Sequence, residues 1–284
     1  MAIDKNYIGS YRLLKLVRAG AKCQIWEALH EVDNQRCALK ALAEDHRSNR
    51  EEIALLKHEY AVGKDLEHTN VIRIFDFNVV KGIPHLAMEY FDSQNLKQWL
   101  RDLKDAEKDP DVTVLKTVIQ QAAAGLAYLH DEGWIHRDIK PDNFLVNDQY
   151  HVKLIDFAIA RKIKSGLAKL FSGKAKVQGT RSYMSPEQIR GKNLDERSDV
   201  YSFGCVLFEM HCGRPPYTGG SPDELLTKHL RASVPSMAAN CSFVGAELTD
   251  LVSRMMAKNP DQRPDSMDQF LAEFNRIRNP WTTN

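Results

Sequence analysis

The stretch His136-Arg137-Asp138-Ile139-Lys140-Pro141-Asp142-Asn143 gathers carboxylates, a lysine, a guanidinium and an amide within one short span. Asp156 follows at the end of an apolar run, Val152 to Ile155, and Lys40 closes Ala38-Leu39-Lys40 on a predicted strand. Carboxylates accept protons and, with amide oxygens, ligate hard divalent cations; lysines neutralise anions. Each residue also has an ordinary alternative. Lys40 fits a surface strand, Asp138 and Asp156 fit solvated loops, and Asn143 fits a turn.

The elements that would position these groups are legible from periodicity. Tyr11 to Arg18, Cys23 to His30 and Cys37 to Ala41 read as strands, with the turn signal Asp33-Asn34 between the second and third. A helix is predicted over Asn49 to Leu66, then strands over Val71 to Val80 and His85 to Phe91. Helical spacing recurs at Leu115 to His130 and Val200 to His211. A strand-rich first third and a helix-rich remainder indicate two lobes joining near Phe91 to Gln94, and a cleft between lobes is a common place for a ligand. In the first helix Leu55, Val62 and Leu66 share a face, and Glu59 falls on it. A carboxylate facing a core is costly unless paired. Either Glu59 has a partner or the position is an edge open to water.

Composition narrows the class. A chain of 284 residues exceeds the common single-core size. Hydrophobic residues at 43% and charged residues at 27% fit an ordinary globular protein rather than a disordered or membrane one. The 39 basic and 38 acidic residues nearly cancel, so no bulk attraction to nucleic acid is expected. Cys23, Cys37, Cys205, Cys212 and Cys241 are odd in number and lack C-x-x-C spacing. That points away from a disulfide scaffold or zinc site and toward a reducing compartment. The opening MAIDKNYIGS lacks the apolar core of a signal peptide, and no apolar run approaches the roughly 18–20 residues of a bilayer span. The expectation is a cytoplasmic chain without a membrane segment, or the soluble domain of a longer membrane-anchored protein.

The motif H-R-D-x-K-P-x-N, then Asp156-Phe157-Ala158, Gly179-Thr180 with Tyr183-Met184-Ser185-Pro186-Glu187, Ser198-Asp199-Val200-Tyr201-Ser202, and Arg263 in NPDQRP resembles the eukaryotic-type (Hanks-type) protein kinase family, from about Tyr11 to Phe274. The wording SYMSPEQIRG and GRPPYTGGSPDELLTKHL is most similar to the bacterial serine/threonine branch. The resemblance implies an α+β, bilobal protein kinase-like fold. A β-rich small lobe would cover residues 1–91, with a hinge at 89–91, and a mainly α-helical large lobe residues 92–284, one catalytic domain over about 11–274. It implies ATP with Mg2+, or Mn2+ in its place, and protein substrates bearing serine or threonine. By that resemblance Lys40 holds the α- and β-phosphates and Glu59 pairs with Lys40. Asp156 and Asn143 bind metal. Asp138 accepts or orients the substrate hydroxyl proton, Lys140 neutralises the γ-phosphate, and Thr180 hydrogen-bonds near Asp138. Gly20, Ile25 and Ala38 join the nucleotide-binding set, Met88 is the gatekeeper, and Glu89 to Phe91 form the hinge. Lys140 and Thr180 favour serine/threonine over tyrosine substrates. Glu187 and Arg263 would form a buried ion pair, and Asp199 would accept N–H groups of the catalytic loop.

The pattern also breaks. Where the family reads G-x-G-x-x-G-x-V this chain reads Arg18-Ala19-Gly20-Ala21-Lys22-Cys23-Gln24-Ile25. Only the middle glycine remains, which predicts a loosened or reshaped phosphate lid. A loss of about 1.4 kcal/mol there would slow transfer roughly tenfold. Arg18 and Lys22 either contact phosphate or face water, and Cys23 is expected to be an unreactive packing thiol. Ala158 replaces a glycine and would pay a penalty at positive φ. Gly63 stands where a larger apolar residue normally meets Phe157, so either the helix is less firmly held or a neighbour fills the space. These departures keep a second reading open, a pseudokinase acting as a nucleotide-binding signalling scaffold. The retained Lys40, Glu59, Asp138, Asn143 and Asp156 favour an enzyme. A small-molecule phosphotransferase is disfavoured by the GTxxYMxPE segment.

The segment from Asp156 to Glu187 carries Arg161, Lys162, Lys164, Lys169, Lys174 and Lys176, with no acid from Arg161 to Gln178. A solvated basic loop is the default. The sharper expectation is autophosphorylation at Ser172, with Ser165 the weaker candidate, adding an anion that pairs with Arg137. The basic loop would favour acidic peptides, and homodimerisation through the small lobe is a further expectation of the resemblance.

Overall fold

Alternating β-branched, aromatic and aliphatic residues near the N-terminus build one antiparallel sheet. Its strands are β1 (Tyr7–Ile8), β2 (Tyr11–Ala19), β3 (Cys23–His30), β4 (Arg36–Leu42), β5 (Ile74–Val80) and β6 (Ile83–Glu89), in the order β1-β2-β3-β4-β6-β5. The computed structural model describes residues 6–105, 111–163, 178–278 and 280–281. Asn34 turns the chain between β3 and β4 at φ +55°, a conformation its short amide tolerates. Helix α1 (Arg50–Gly63) is capped by Asn49, whose side chain accepts the N–H groups of Glu51 and Glu52. It packs on β5 and β6.

The expected elements are adjusted in three places. The buried face of α1 is Leu56, Glu59, Val62 and Gly63, whereas Leu55 is only half-buried. The helix stops at Gly63, short of the expected Leu66, and β6 ends at Glu89 rather than Phe91.

Register decides which side chains share a face. Lys40 lies opposite Ile25 on one side and Leu86 on the other, and Ala38 lies opposite Met88. Directly opposed residues point to the same side, and i, i+2 neighbours repeat it. Ile25, Ala38, Lys40 and Met88 therefore line one face. The alternate residues Cys37, Leu39 and Ala41 join Ala28, Ile83, Ala87 and Ile8 in a core on the other face.

The chain forms two compact units. The first runs to Asp92 and includes Ile155–Ala158; the second holds Ser93–Leu154 and Ile159–Asn284. The second unit is mainly helical. It contains α2 (Leu96–Asp105), α3 (Val112–Asp131), α4 (Pro186–Ile189), α5 (Arg197–Cys212), α6 (Pro222–Arg231), α7 (Met237–Asn240), α8 (Ala246–Met255) and α9 (Met267–Arg276). Short strands β7 (Gln94–Asn95), β8 (Trp134–Ile135), β9 (Phe144–Val146), β10 (Val152–Leu154) and β11 (Arg161–Lys162) form a three-stranded sheet, β10-β9-β7, and a β11–β8 pair. The core runs through edge-on and stacked rings: Phe144 to Phe203 at 5.9 Å, Phe203 to Phe270 at 5.6 Å and Phe270 to Phe274 at 5.5 Å. Helix α3 is long and apolar enough by length and composition to cross a membrane, a feature no apolar run in the sequence had indicated. Its buried face, with Leu115, Val118, Ile119, Ala122, Leu126 and Leu129, packs instead against α9 and β10.

Candidate active site

In the first unit three charged groups meet. Lys40 Nζ donates to Glu59 Oε2 at 2.6 Å and lies 3.4 Å from Asp156 Oδ1. Glu59 is 2% exposed, so the carboxylate on an apolar helix face is explained by its lysine partner rather than by an edge open to water. Burial opposes the Lys40 ammonium, but Asp156 and Glu59 outweigh it and hold the lysine well above its ordinary range. Asp156 adopts φ +70°, a strained backbone for a non-glycine residue. Ala158 is not among the described non-glycine residues at positive φ, so the penalty expected there does not arise. The left-handed position falls on the aspartate instead.

The missing apolar residue at position 63 is also accounted for. A Cβ placed on Gly63 would come within 2.4 Å of Ile74 Cδ1 and 3.2 Å of Phe157 Cδ2. Ile74, from β5, fills the space and meets Phe157 there.

The lid has the geometry of a strand turn. β2 runs through Ala19 and β3 starts at Cys23, with Arg18 paired to Ile25 and Ala19 to Gln24. Positions 18 and 23 therefore have strand geometry and need no glycine. Gly20 N–H donates to Cys23 O at 2.9 Å, and a Cβ on Gly20 would approach that oxygen to 3.0 Å. The surviving glycine is the one the close approach requires. Lys22 is exposed, as a lysine facing water would be, and its Nζ also donates to Glu52 Oε1 at 2.5 Å. Burial pushes the Cys23 thiol up despite nearby Lys40, which keeps it protonated, as a packing thiol.

In the second unit the catalytic-loop residues converge on Asp138. Lys140 Nζ donates to Asp138 Oδ2 at 2.6 Å. Thr180 donates to Asp138 Oδ1 through both its backbone N–H and its Oγ1, each at 2.8 Å. Lys140 Nζ also donates to Thr180 Oγ1 at 3.0 Å. Asn143 is buried, and its Nδ2 donates to Asp138 O at 2.8 Å. The loop is pinned from below: Asp199, fully buried on α5, accepts the N–H groups of His136 at 2.7 Å and Arg137 at 2.9 Å. Those two bonds hold Arg137 at φ +70°. Gly179 sits at φ +120°, and a Cβ there would strike Arg137 O at 2.8 Å, so only glycine brings Thr180 alongside Asp138.

The support extends to Glu187 and Arg263, which form the expected buried bidentate pair at 2.7 and 3.0 Å. Burial opposes the Glu187 charge, but the Arg263 and Ser198 donors hold it below the usual carboxylate range. Three supporting residues were not picked out from the sequence. His130 Nε2 lies 3.0 Å from Asp199 Oδ2, Gln188 Nε2 donates to Arg137 O at 2.9 Å, and Tyr183 donates to Glu209. Gln188 had a signal, since Ser185-x-x-Gln188 is a capping box. His130 and Glu209 are buried on helices and carried none.

Other expected residues are placed as follows. Gly20, Ile25, Ala38, Met88 and Glu89 are in the first unit with Lys40, and Phe91 is half-buried just beyond β6. Glu89 donates its N–H to Arg73 O at 2.9 Å, which leaves that group committed within the sheet. Arg137 is buried, with Nη1 donating to Ile159 O at 3.3 Å. Burial and the nearby Arg161 charge lower its pKa. Lys162 lies over the Trp134 ring and donates to Glu132 O at 3.1 Å. Ser165, Ser172, Lys164, Lys169, Lys174 and Lys176 lie outside the described residues.

A family model described as protein kinase domain matches residues 11–274. The chain is 29% identical over 274 residues to the serine/threonine-protein kinase PrkC of Bacillus subtilis, covering 96% of this chain and 41% of that protein. It is 32% identical over 283 residues to the serine/threonine-protein kinase PknB of Mycobacterium tuberculosis, covering 98% of this chain and 44% of that protein. A plant relative, the serine/threonine-protein kinase ATG1c of Arabidopsis thaliana, is 31% identical over 260 residues, covering 90% of this chain and 34% of its own. The chain thus spans less than half the length of these curated relatives.

Proposed function

The chain belongs to the protein kinase domain family, and from that premise we propose that it transfers the γ-phosphoryl group of ATP to serine and threonine hydroxyls of proteins. One observation carries the reading: the Asp138 carboxylate is gripped on both oxygens, Oδ1 by Thr180 and Oδ2 by Lys140. Phosphoryl transfer needs alignment and charge neutralisation more than covalent chemistry. Asp138, held in one orientation, takes the proton of the attacking hydroxyl. Lys140 brings a cation to the γ-phosphoryl oxygens, and Thr180 fixes the carboxylate and contacts the same lysine. Lys40, anchored by Glu59, holds the α- and β-phosphates. The face bearing Ile25, Ala38 and Met88 packs against the base, and Glu89 to Phe91 supply backbone groups to its edge.

The donor set fits a hard divalent cation, Mg2+ or Mn2+. Asp156 offers a carboxylate that is 37% exposed. Asn143 spends its amide N–H on Asp138 O, so its oxygen is the atom turned to ligation. Among the described residues no group of three or more His, Cys, Asp or Glu side chains forms a cation site. Asp156 and Asn143 would hold such an ion by oxygen, the kind of donor Mg2+ takes alongside phosphate and water. Such an ion neutralises phosphate charge when bound. The five cysteines are free, which accords with a cytoplasmic location where ATP is available. The charge of Arg161 near Arg137 supports autophosphorylation of the segment that follows Arg161, because a phosphate there would relieve the opposition of two cations.

The test is incorporation of label from γ-labelled ATP with Mg2+, into the chain itself and into a protein substrate. Asp138→Asn is expected to lose transfer by about a thousandfold while keeping nucleotide binding. Equal labelling by wild type and Asp138→Asn overturns the proposal, as does label found on tyrosine alone. The pseudokinase alternative draws no support from the three relatives described above, each named as a serine/threonine-protein kinase.

A further inference from the structure

The lysine that replaces part of the glycine-rich lid has found a partner that the family pattern does not explain. Lys22 closes the β2–β3 turn, and its carbonyl accepts Ala43 N–H at 2.8 Å, extending the β3–β4 ladder by one bond. Its side chain reaches α1, where Nζ donates to Glu52 Oε1 at 2.5 Å. Glu52 is in the first turn of α1, and its side chain is only 12% exposed against 58% for Lys22. A carboxylate at that helix position often turns back to the N-cap N–H. Here Asn49 N–H is already bonded to His46 O at 3.0 Å, and Glu52 is directed to the lid. The hydrogen bond to Glu52 and its charge raise the Lys22 pKa.

Glu52 and Glu59 are seven residues apart, so they lie on nearly the same helix face, offset by about 20°. The helix thus presents two carboxylates in line: Glu59 holds Lys40, and Glu52 holds Lys22. We propose that Lys22 and Glu52 are positioning residues that tie the lid turn to α1, so that the lid and the Lys40–Glu59 pair are held by one helix. The proposal rests on the kinase reading and deepens it. A lid with one glycine and a tight Gly20–Cys23 turn has lost the flexibility with which a glycine-rich loop wraps phosphate. The ion pair holds the turn in place instead, and Lys22 serves the lid through Glu52 rather than by touching phosphate.

Two measurements test it on the whole chain. The first is amide hydrogen exchange at Gly20 and Ala43, whose N–H groups bond to Cys23 O and Lys22 O. Lys22→Met and Glu52→Gln are each expected to speed exchange about fivefold, equivalent to about 1 kcal/mol. The double variant is expected to be no faster than either single one, and Lys22→Arg to keep the wild-type rate. The second is the Michaelis constant for ATP, expected to rise about fivefold in both single variants with kcat changed less. Unchanged exchange in either variant, or additive effects in the double, overturns the tether. A rise in KM for Lys22→Met without one for Glu52→Gln also overturns it and assigns Lys22 to phosphate. Failure of the kinase reading is distinguishable: wild type then transfers no label, while the exchange rates still report the ion pair.

Discussion

Restoring a large apolar residue at position 63 is expected to destabilise this protein, although a large residue is the family norm there. A Cβ alone would stand 2.4 Å from Ile74 Cδ1 and 3.0 Å from Ile74 Cγ1, well inside van der Waals contact. Leucine adds three more carbons to a space that Ile74 already fills at 3% exposure. Overpacking of this kind costs about 1–3 kcal/mol, and the upper end applies because even the first carbon overlaps. Ile74→Ala alone empties the space and costs about 2–5 kcal/mol. Together, Gly63→Leu and Ile74→Ala exchange one apolar volume for another, so the double variant should lie within about 1.5 kcal/mol of wild type. The coupling between the two sites is then at least about 3.5 kcal/mol. Urea midpoints of the four proteins measure it, with transfer activity as a second readout because Phe157, next to Asp156, lines the same space. If the double variant loses the sum of the two single losses, Ile74 is not the replacement, and the account of Gly63 fails.

Thr180→Val removes a 2.8 Å donor to the Asp138 carboxylate. A hydrogen bond to a charged group is worth about 1.5–3 kcal/mol, so kcat should fall tenfold or more, with Thr180→Ser close to wild type; equal kcat in Val and Ser variants would contradict this. Glu187→Gln leaves the Arg263 side chain, which is 0% exposed, without its counter-charge. The stability loss should be about 3–5 kcal/mol by chemical denaturation, and a loss near zero would remove the pair from the support of the second unit. Burial lowers the pKa of His211 and His229 to about 4. Their folded values lie below an unfolded value near 6.5, so their contribution is present above that value and is lost as pH falls toward 4. Melting temperature should therefore drop across that window, and less steeply in His211→Gln; parallel acid limbs would refute the assignment.

The catalytic loop was readable because its chemistry is local. Asp138, Lys140 and Asn143 lie within six positions, and their spacing carries the signal wherever the loop sits. The helix holding Glu59 was legible for a similar reason, since a carboxylate on an apolar stripe demands a cation. The resemblance named Lys40 as that cation, and the β3–β4 register turns Lys40 to the side of the sheet that α1 covers. His130 and Glu209 were invisible, because a polar residue on a buried helix face looks the same in sequence whatever it binds.

Sequence alone determined the alternation of strands and helices, the motifs that carry the family resemblance, and the residue types of the proposed reacting groups. These follow from local spacing and periodicity, which survive without coordinates. Tertiary structure decided the positions where the pattern breaks. Ile74 comes from β5 to occupy the space at Gly63, and Glu52 comes from α1 to take Lys22. Positive φ falls on Asp156 rather than Ala158. In each case the deciding partner is distant in sequence or the deciding angle is set by packing, and no reading of neighbouring residues contains that information.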